Sequence, residues 1–584
     1  MGARTMNLVI QKTGGKEYVS FRESFWDPVR KKTSSRTVRN FGRLDLLLAQ
    51  DPEALDKLRA QAEELKKAHQ ESKNALLQER VKEALSVKAR GTSTGDSRTV
   101  MLGPSVYRQI WERLAMPRKL RDLQSQGNTR FDFPNAVFYM VAARSLMPDS
   151  KLAQWERRNR FLYGSDKLRL CHLYRAIDLL CANKEQLVAY MNRQIAKQYK
   201  RAVTVALYDV TTYWFESQDA DTLRNFGFSK DNKVNQVQVV MGLLIDQNGI
   251  PIDYELFPGN TSEFSTMLPL LRKLKDTHDI ERVVVTADRG LNSGANLYAL
   301  REMGLEYVIA YRLRSNAGKM LPLIRDSEGW TVRNSSVRTD VSKFRVTEET
   351  RRIQVTDEST GRPKFVDITS KLLLNYSERR ARKDAHDRSR LIAKAERYAE
   401  HPGLLKSDLR RGGKSYLKLK EGDLGASLDT ERIEEAEAFD GYYGICYSDP
   451  NMTPDEVLRI HHSLWQIEES FRISKSLLEA RPCFHWTESR IRGHFLICYI
   501  ALVIHRLLET ELAAADESIT AERIIEALSE ATLTEVQLPD GEKFYTKSNT
   551  EGDFETIARV VGLKPLPGLA SEADVKRALR VKAL

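Results

Sequence analysis

VTVALYD, residues 203–209, is the stretch whose reading decides the fold class. Up to its terminal aspartate it is almost entirely β-branched or apolar, the composition of a buried strand rather than of an amphipathic helix. Three further runs of this kind follow, at 234–245, 250–257 and VVVTA at 283–287. Between the second and third stands Asn248-Gly249, a pair suited to the positive φ angles of a two-residue hairpin turn. Residues 263–275 and 293–303 have helical spacing, and 307–311 is again strand-like. The order is three strands, a helix, a strand, a helix and a strand.

Such an order predicts an α/β chain with a ribonuclease-H-like core, in two parts at 201–314 and 451–511. Between them, residues 315–450 lose regularity. Strand-like pieces at 330–332 and 352–355 lead to a charged helix at 378–400, a basic loop at 406–420 and a strand at 442–447. This interval reads as a partly β insertion domain. Upstream, residues 1–97 form a basic arm followed by a long helix at 52–90 and the linker GTSTGDS at 91–97. A helical region at 98–200 breaks at Met116-Pro117, which fits either a helix-turn-helix or ordinary helix packing. Both N-terminal regions are candidates for DNA contact, and the mixed tail at 512–584 is a candidate dimerisation region.

The 584 residues carry 92 Lys and Arg against 80 Asp and Glu, a net charge of +12 that favours a polyanionic partner. Five scattered cysteines include no C-x-x-C pair, which argues against a zinc ribbon or a disulfide framework. Gly412-Gly413-Lys414-Ser415 lacks the glycine six residues before its lysine, where Asp408 stands, so nucleotide binding is not expected. The longest apolar run, Phe495 to Ile504, is too short to span a bilayer, and no apolar signal region opens the sequence. A cytoplasmic protein without membrane contact is expected.

Asp209 and Asp288 each end an apolar strand. One such aspartate is usually a turn former, but two at the ends of neighbouring strands can converge on one point. A third acid comes from a helix that starts with Thr453 as N-cap, Pro454 in its first turn and Glu456 completing a capping box. Along it Leu464, Ile467, Phe471 and Leu478 form an apolar stripe. His461, Trp465, Glu468, Arg472 and Lys475 form the adjacent stripe. A charged stripe is ordinarily a solvated face; Trp465 within it points to a cleft edge instead. Three carboxylates suit two Mg²⁺ ions, with Mn²⁺ able to substitute, because such ions favour oxygen donors and together promote phosphodiester cleavage. Arg472 and Lys475 would hold DNA phosphates.

YDVTTYWFE (208–216), GIPIDYELFPGNTSEFST (249–266), VVVTADRGLNS (283–293) and WQIEESFRISKSLLEARP (465–482) resemble the DDE transposases of bacterial insertion sequences, of the type with a Tyr-x2-Arg-x3-Glu-x6-Lys signature. The likeness runs from about 100 to 510. It implies cut-and-paste transposition of double-stranded DNA, with Asp209 bridging both metals and Asp288 and Glu468 each binding one. It also implies that the insertion contacts transposon ends and that a homodimer pairs two ends. Glu468 and Lys475 match the signature, whereas His461 replaces its Tyr and Leu464 its Arg. Where cleavage passes through a DNA hairpin, an aromatic residue stacks a flipped base, and Trp330 is a candidate beside its ordinary reading as a core residue. The alternatives are a ribonuclease-H-like nuclease or resolvase and a domesticated DNA-binding protein. Inverted repeats flanking the gene would separate the transposase from the first, and intact acids argue against the second.

Overall fold

The computed structural model describes residues 5–27, 32–88, 98–164, 167–227, 236–277, 284–287, 289–333, 342–356, 362–401, 413–419, 426–537 and 543–579. The chain divides into two compact units. One comprises residues 1–100, 531–550 and 564–580, and the other comprises 101–530, 551–563 and 581–584.

In the first unit the weakly alternating N-terminal residues form an antiparallel sheet of β1 (Thr5–Thr13), β2 (Lys16–Asp27) and β3 (Lys32–Arg43). Gly14 and Gly15 make the β1–β2 turn with positive φ, which glycine adopts without a Cβ penalty. A short helix (Leu44–Gln50) and a 35-residue helix (Ala54–Lys88) follow, the latter close to the long helix expected at 52–90. A second sheet joins β4 (Thr99–Met101) to C-terminal strands β16 (Thr532–Gln537), β17 (Lys543–Ser548) and β18 (Leu569–Ser571), in the order β18-β17-β16-β4.

The second unit is built on a nine-stranded sheet. Its centre holds β5 (Val205–Trp214), β6 (Gln238–Asp246), β7 (Pro251–Pro258), β8 (Val284–Ala287) and β9 (Glu306–Tyr311). The sheet continues through β10 (Thr331–Arg333), β11 (Ser342–Thr356), β12 (Pro363–Ser377) and β15 (Tyr442–Tyr447). The order is β10-β11-β12-β15-β9-β8-β5-β6-β7. β5, β6 and β7 are antiparallel neighbours, while β8 pairs parallel with both β5 and β9. Asn248-Gly249 lies in the β6–β7 turn, where Gly249 has φ +81° and Asp246 accepts hydrogen bonds from the amides of Asn248 and Ile250.

The strands between 315 and 450 are not a detached sheet. β15 pairs with β9, so the interval lengthens the central sheet by four strands. A separate small hairpin, β13 (Leu417–Leu419) and β14 (Ala426–Leu428), packs with helix Glu378–Glu400 around Tyr398 and Tyr416. The basic loop read at 406–420 falls mostly outside the described residues.

Helix Glu488–Ala514 is long and apolar enough to cross a membrane by length and composition, yet 94% of its apolar window is buried within the protein. It packs against helices Pro104–Arg113, Phe133–Leu146 and Leu170–Ala182 and against β7. Gly493 permits a close approach to helix Leu170–Ala182, since a Cβ there would lie 2.5 Å from the Ile177 carbonyl oxygen. Helix Met116–Ser125, the second of the pair read around Met116-Pro117, buries Met116, Leu120 and Leu123.

Candidate active site

Strand geometry decides where Asp209 points. Successive β residues face opposite sides of a sheet, and Ala206, Tyr208 and Val210 enter one core with Val240, Val285 and Ile309. Leu207, Asp209, Thr211 and Tyr213 therefore share the other face, with Asp209 half-buried. β5 and β8 run parallel in a register that pairs Tyr208 with Ala287. Asp209 follows the first of these residues and Asp288 the second in sequence, and Asp288 lies outside the described residues.

The helix carrying Glu468 begins as read from the sequence. The Thr453 side chain accepts a hydrogen bond from the Glu456 amide at 3.2 Å, and Pro454 opens the first turn. It is not continuous through 454–479, however. Helix Pro454–His462 gives way to helix Trp465–Arg472 and then to a π-helical turn at Ile473–Leu477. At the joint, Gln466 and Ile467 donate to the carbonyls three residues back at 3.0 and 3.1 Å, which tightens the chain and changes its phase.

Two anchors hold this helix beside β5. At its start, buried Arg506 donates to the Gln466 carbonyl at 3.0 Å and to the Ser470 hydroxyl, while Glu509 holds the guanidinium at 2.7 Å. Burial alone would raise the Glu509 carboxyl, but the nearby His505 and Arg506 draw it down to about 2. At the other end, the Tyr213 hydroxyl and the Ser474 hydroxyl share a buried hydrogen bond of 2.9 Å. The Tyr213 ring also packs edge-on against Phe495, with centroids 4.9 Å apart. Because Tyr213 and Asp209 share a strand face, Glu468 belongs to a helix seated on the Asp209 side of the sheet.

The remaining sequence candidates divide. Lys475 stands with its ammonium 5.5 Å from the Tyr213 ring centroid, on this same face. Arg472 is engaged by acids: its Nε donates to Glu469 at 2.7 Å and another nitrogen pairs with Glu522. Trp465 is 60% exposed and, with His462, Arg459, Arg333 and Asp455, lines an open groove of about 500 Å³. His461 is half-buried beside His462. His462, three residues before Trp465, lines the groove with it, whereas the candidate His461 is not among the groove's lining residues. Trp330 donates to the Asp326 carbonyl at 2.9 Å, lies 5.5 Å from the Tyr442 ring and carries the Lys343 ammonium over its own ring. Its surroundings are those of a packed aromatic cluster.

Asp209 and Glu468 offer hard oxygen donors, the type that divalent Mg²⁺ or Mn²⁺ takes. Glu468 is exposed and makes no ion pair among the described residues. Among the described residues no group of three His, Cys, Asp or Glu is close enough to hold a metal ion, and Asp288 is not one of the described residues. Sequence reasoning missed Tyr213, Ser474 and Arg506, the residues that seat the helix. A signal for Tyr213 was present, since it stands four residues after Asp209 and so on the same strand face.

The "Transposase DDE domain" family model matches residues 209–504, just over half of the chain, beginning at Asp209. The "IS1634 family transposase, N-terminal domain" model matches residues 8–79. None of the curated proteins matches the chain significantly. Among solved structures, the cryo-EM structure of a piggyBac transposase synaptic complex with hairpin DNA aligns over 75% of this chain and 82% of that chain, with 9% identity and a TM-score of 0.33. That likeness is too loose to bear on the arrangement, so the assignment stands on the family models. The chain belongs to the DDE transposases of insertion sequences, metal-dependent enzymes that cleave and transfer DNA strands.

Proposed function

We propose that this transposase cleaves at the terminal inverted repeats of its mobile element and joins the ends to target DNA, with Asp209, Asp288 and Glu468 as the ligands of two Mg²⁺ ions. The observation that carries this reading is the seating of the Glu468 helix on the Asp209 face through Tyr213 and Ser474. The strand order β7-β6-β5-β8-β9 supports a ribonuclease-H-like core, in which the first strand lies central and the fourth and fifth run parallel beside it. When bound, the two ions activate the attacking water or 3′-hydroxyl and offset negative charge on the phosphodiester oxygens.

The chain's own residues position the DNA. Lys475, held against Tyr213, supplies a cation for a phosphate next to the scissile bond. Arg472 already satisfies two carboxylates and contributes less. The groove at Trp465 takes the DNA flank nearest Glu468, with Arg459 and His462 on its wall. The partners are double-stranded transposon ends and target DNA, met by a homodimer in the bacterial cytoplasm at the nucleoid. The test is end cleavage and strand transfer by wild type and Asp209→Ala: the variant loses both and keeps DNA binding. Cleavage retained by Asp209→Ala would refute the metal assignment. Wild type that cuts without joining would identify a nuclease.

A further inference from the structure

Beyond the helix that carries Glu468, residues 479–487 run without regular structure to helix Glu488–Ala514. Within this stretch the side chains alternate. The Cys483 thiol and His485 point inward; Phe484 and Trp486 point out, 56% and 65% exposed. The inward side is firmly anchored. His485 lies edge-on to Tyr174 and 5.5 Å from the buried His494 ring. Burial, with Lys151 and Arg144 nearby, pushes its imidazole down to about 3, so it stays neutral at physiological pH. Two large rings are thereby fixed outward on one side of an immobilised segment.

Arginines stand against the neighbouring rings. Arg224 places its guanidinium 5.6 Å from the Trp486 ring centroid, and Asp221 holds that guanidinium in place at 2.7 Å. Trp486 thus has a cation at its ring while it remains largely exposed. Arg481 stands 5.6 Å from the Trp214 ring, and Trp214 ends β5, the strand that bears Asp209. Trp214 stands five positions after Asp209 on the same strand, about 16 Å at the usual strand rise. Exposed aromatic rings interleaved with arginines are the surface on which unstacked bases lie, because every base has a π-face and every nucleotide a charge.

We propose that Phe484 and Trp486, backed by Arg224 and Arg481, form a platform for unpaired bases of the DNA strand that enters the Asp209 site. The proposal rests on the transposase reading for the origin of that strand. Its test needs only binding. The full chain is titrated by fluorescence anisotropy with labelled oligothymidylate and with duplex of the same length. Phe484→Ala/Trp486→Ala binds the single strand about tenfold more weakly or worse, while duplex affinity and its salt dependence hold. Trp486→Tyr retains most of the single-strand affinity because it keeps a ring. Unchanged single-strand affinity in the double variant overturns the proposal, as does an equal loss for duplex. A shift from dimer to monomer in sedimentation, with single-strand binding intact, assigns the rings to a second copy of the chain and also overturns it. Cleavage of transposon ends by wild type is scored separately, so the platform can fail while the transposase reading stands.

Discussion

Tyr213→Phe isolates the contact that seats the Glu468 helix. The substitution keeps the ring, its edge-on packing against Phe495 and the neighbouring Lys475 ammonium, and removes only the hydroxyl. Ser474 is 5% exposed, so its hydroxyl loses a partner that water cannot readily replace. Such a loss costs about 1–2 kcal/mol, which corresponds to roughly a tenfold change in an equilibrium constant. Expressed in the seated helix, this lowers the rate of end cleavage by up to about tenfold with end-DNA affinity unchanged. Ser474→Ala leaves the tyrosine hydroxyl buried and unpaired and costs a similar amount. The double variant Tyr213→Phe/Ser474→Ala removes both partners together, and its stability falls little further than that of either single variant. The assay is a double-mutant cycle in urea, read alongside single-turnover cleavage of a labelled transposon end. Effects that simply add, or wild-type cleavage by Tyr213→Phe, would show that this bond does not position the helix.

Four further outcomes follow from the same geometry. Lys475→Ala weakens binding of transposon ends and lowers its salt dependence by about one phosphate contact; an unchanged salt slope would refute its role at a phosphate. Gly493→Ala forces a Cβ onto the Ile177 carbonyl and destabilises the unit by about 1–3 kcal/mol, which a wild-type melting temperature would contradict. Burial, reinforced by Arg144, lowers the Lys151 ammonium to about 7 against an ordinary 10.5. The unfolded chain then binds the extra proton between those values, so this residue's contribution to stability rises with pH across that window and is lost toward pH 7. Lys151→Met flattens that part of the pH–stability curve, and thermal denaturation from neutral to alkaline pH that shows parallel curves for the two proteins would count against it. Chelation of divalent metal abolishes cleavage, and Mg²⁺ restores it to wild type but not to Glu468→Ala; restored activity in that variant would remove Glu468 from the metal site.

Much of the catalytic unit was legible because local chemistry is strong there. β-branched runs, the Asn248-Gly249 turn and the Thr453-Pro454 helix start state their conformations within a few residues, although the first strand runs on to Trp214, so Asp209 lies in its middle rather than at the end the sequence suggested. The aspartate ending VTVALYD needed only the two-residue period of a strand to be assigned a face. The stripe through His461 was misjudged because spacing arguments assume an unbroken helix, and the tight turn at Ser463-Leu464 shifts the phase.

The sequence alone therefore determined the main strand and helix types and the transposase resemblance, since these are written in short-range patterns. Tertiary structure decided what those patterns could not encode. β15 pairs with β9, so strands β10, β11, β12 and β15 extend the central sheet, because strand pairing is a long-range hydrogen-bonding choice. Helix Glu488–Ala514 is apolar all round because other elements of its own unit bury it from several sides. The seat of the helix that carries Glu468 rests on Tyr213 and Ser474, 261 positions apart in sequence, and only folding brings those hydroxyls to 2.9 Å.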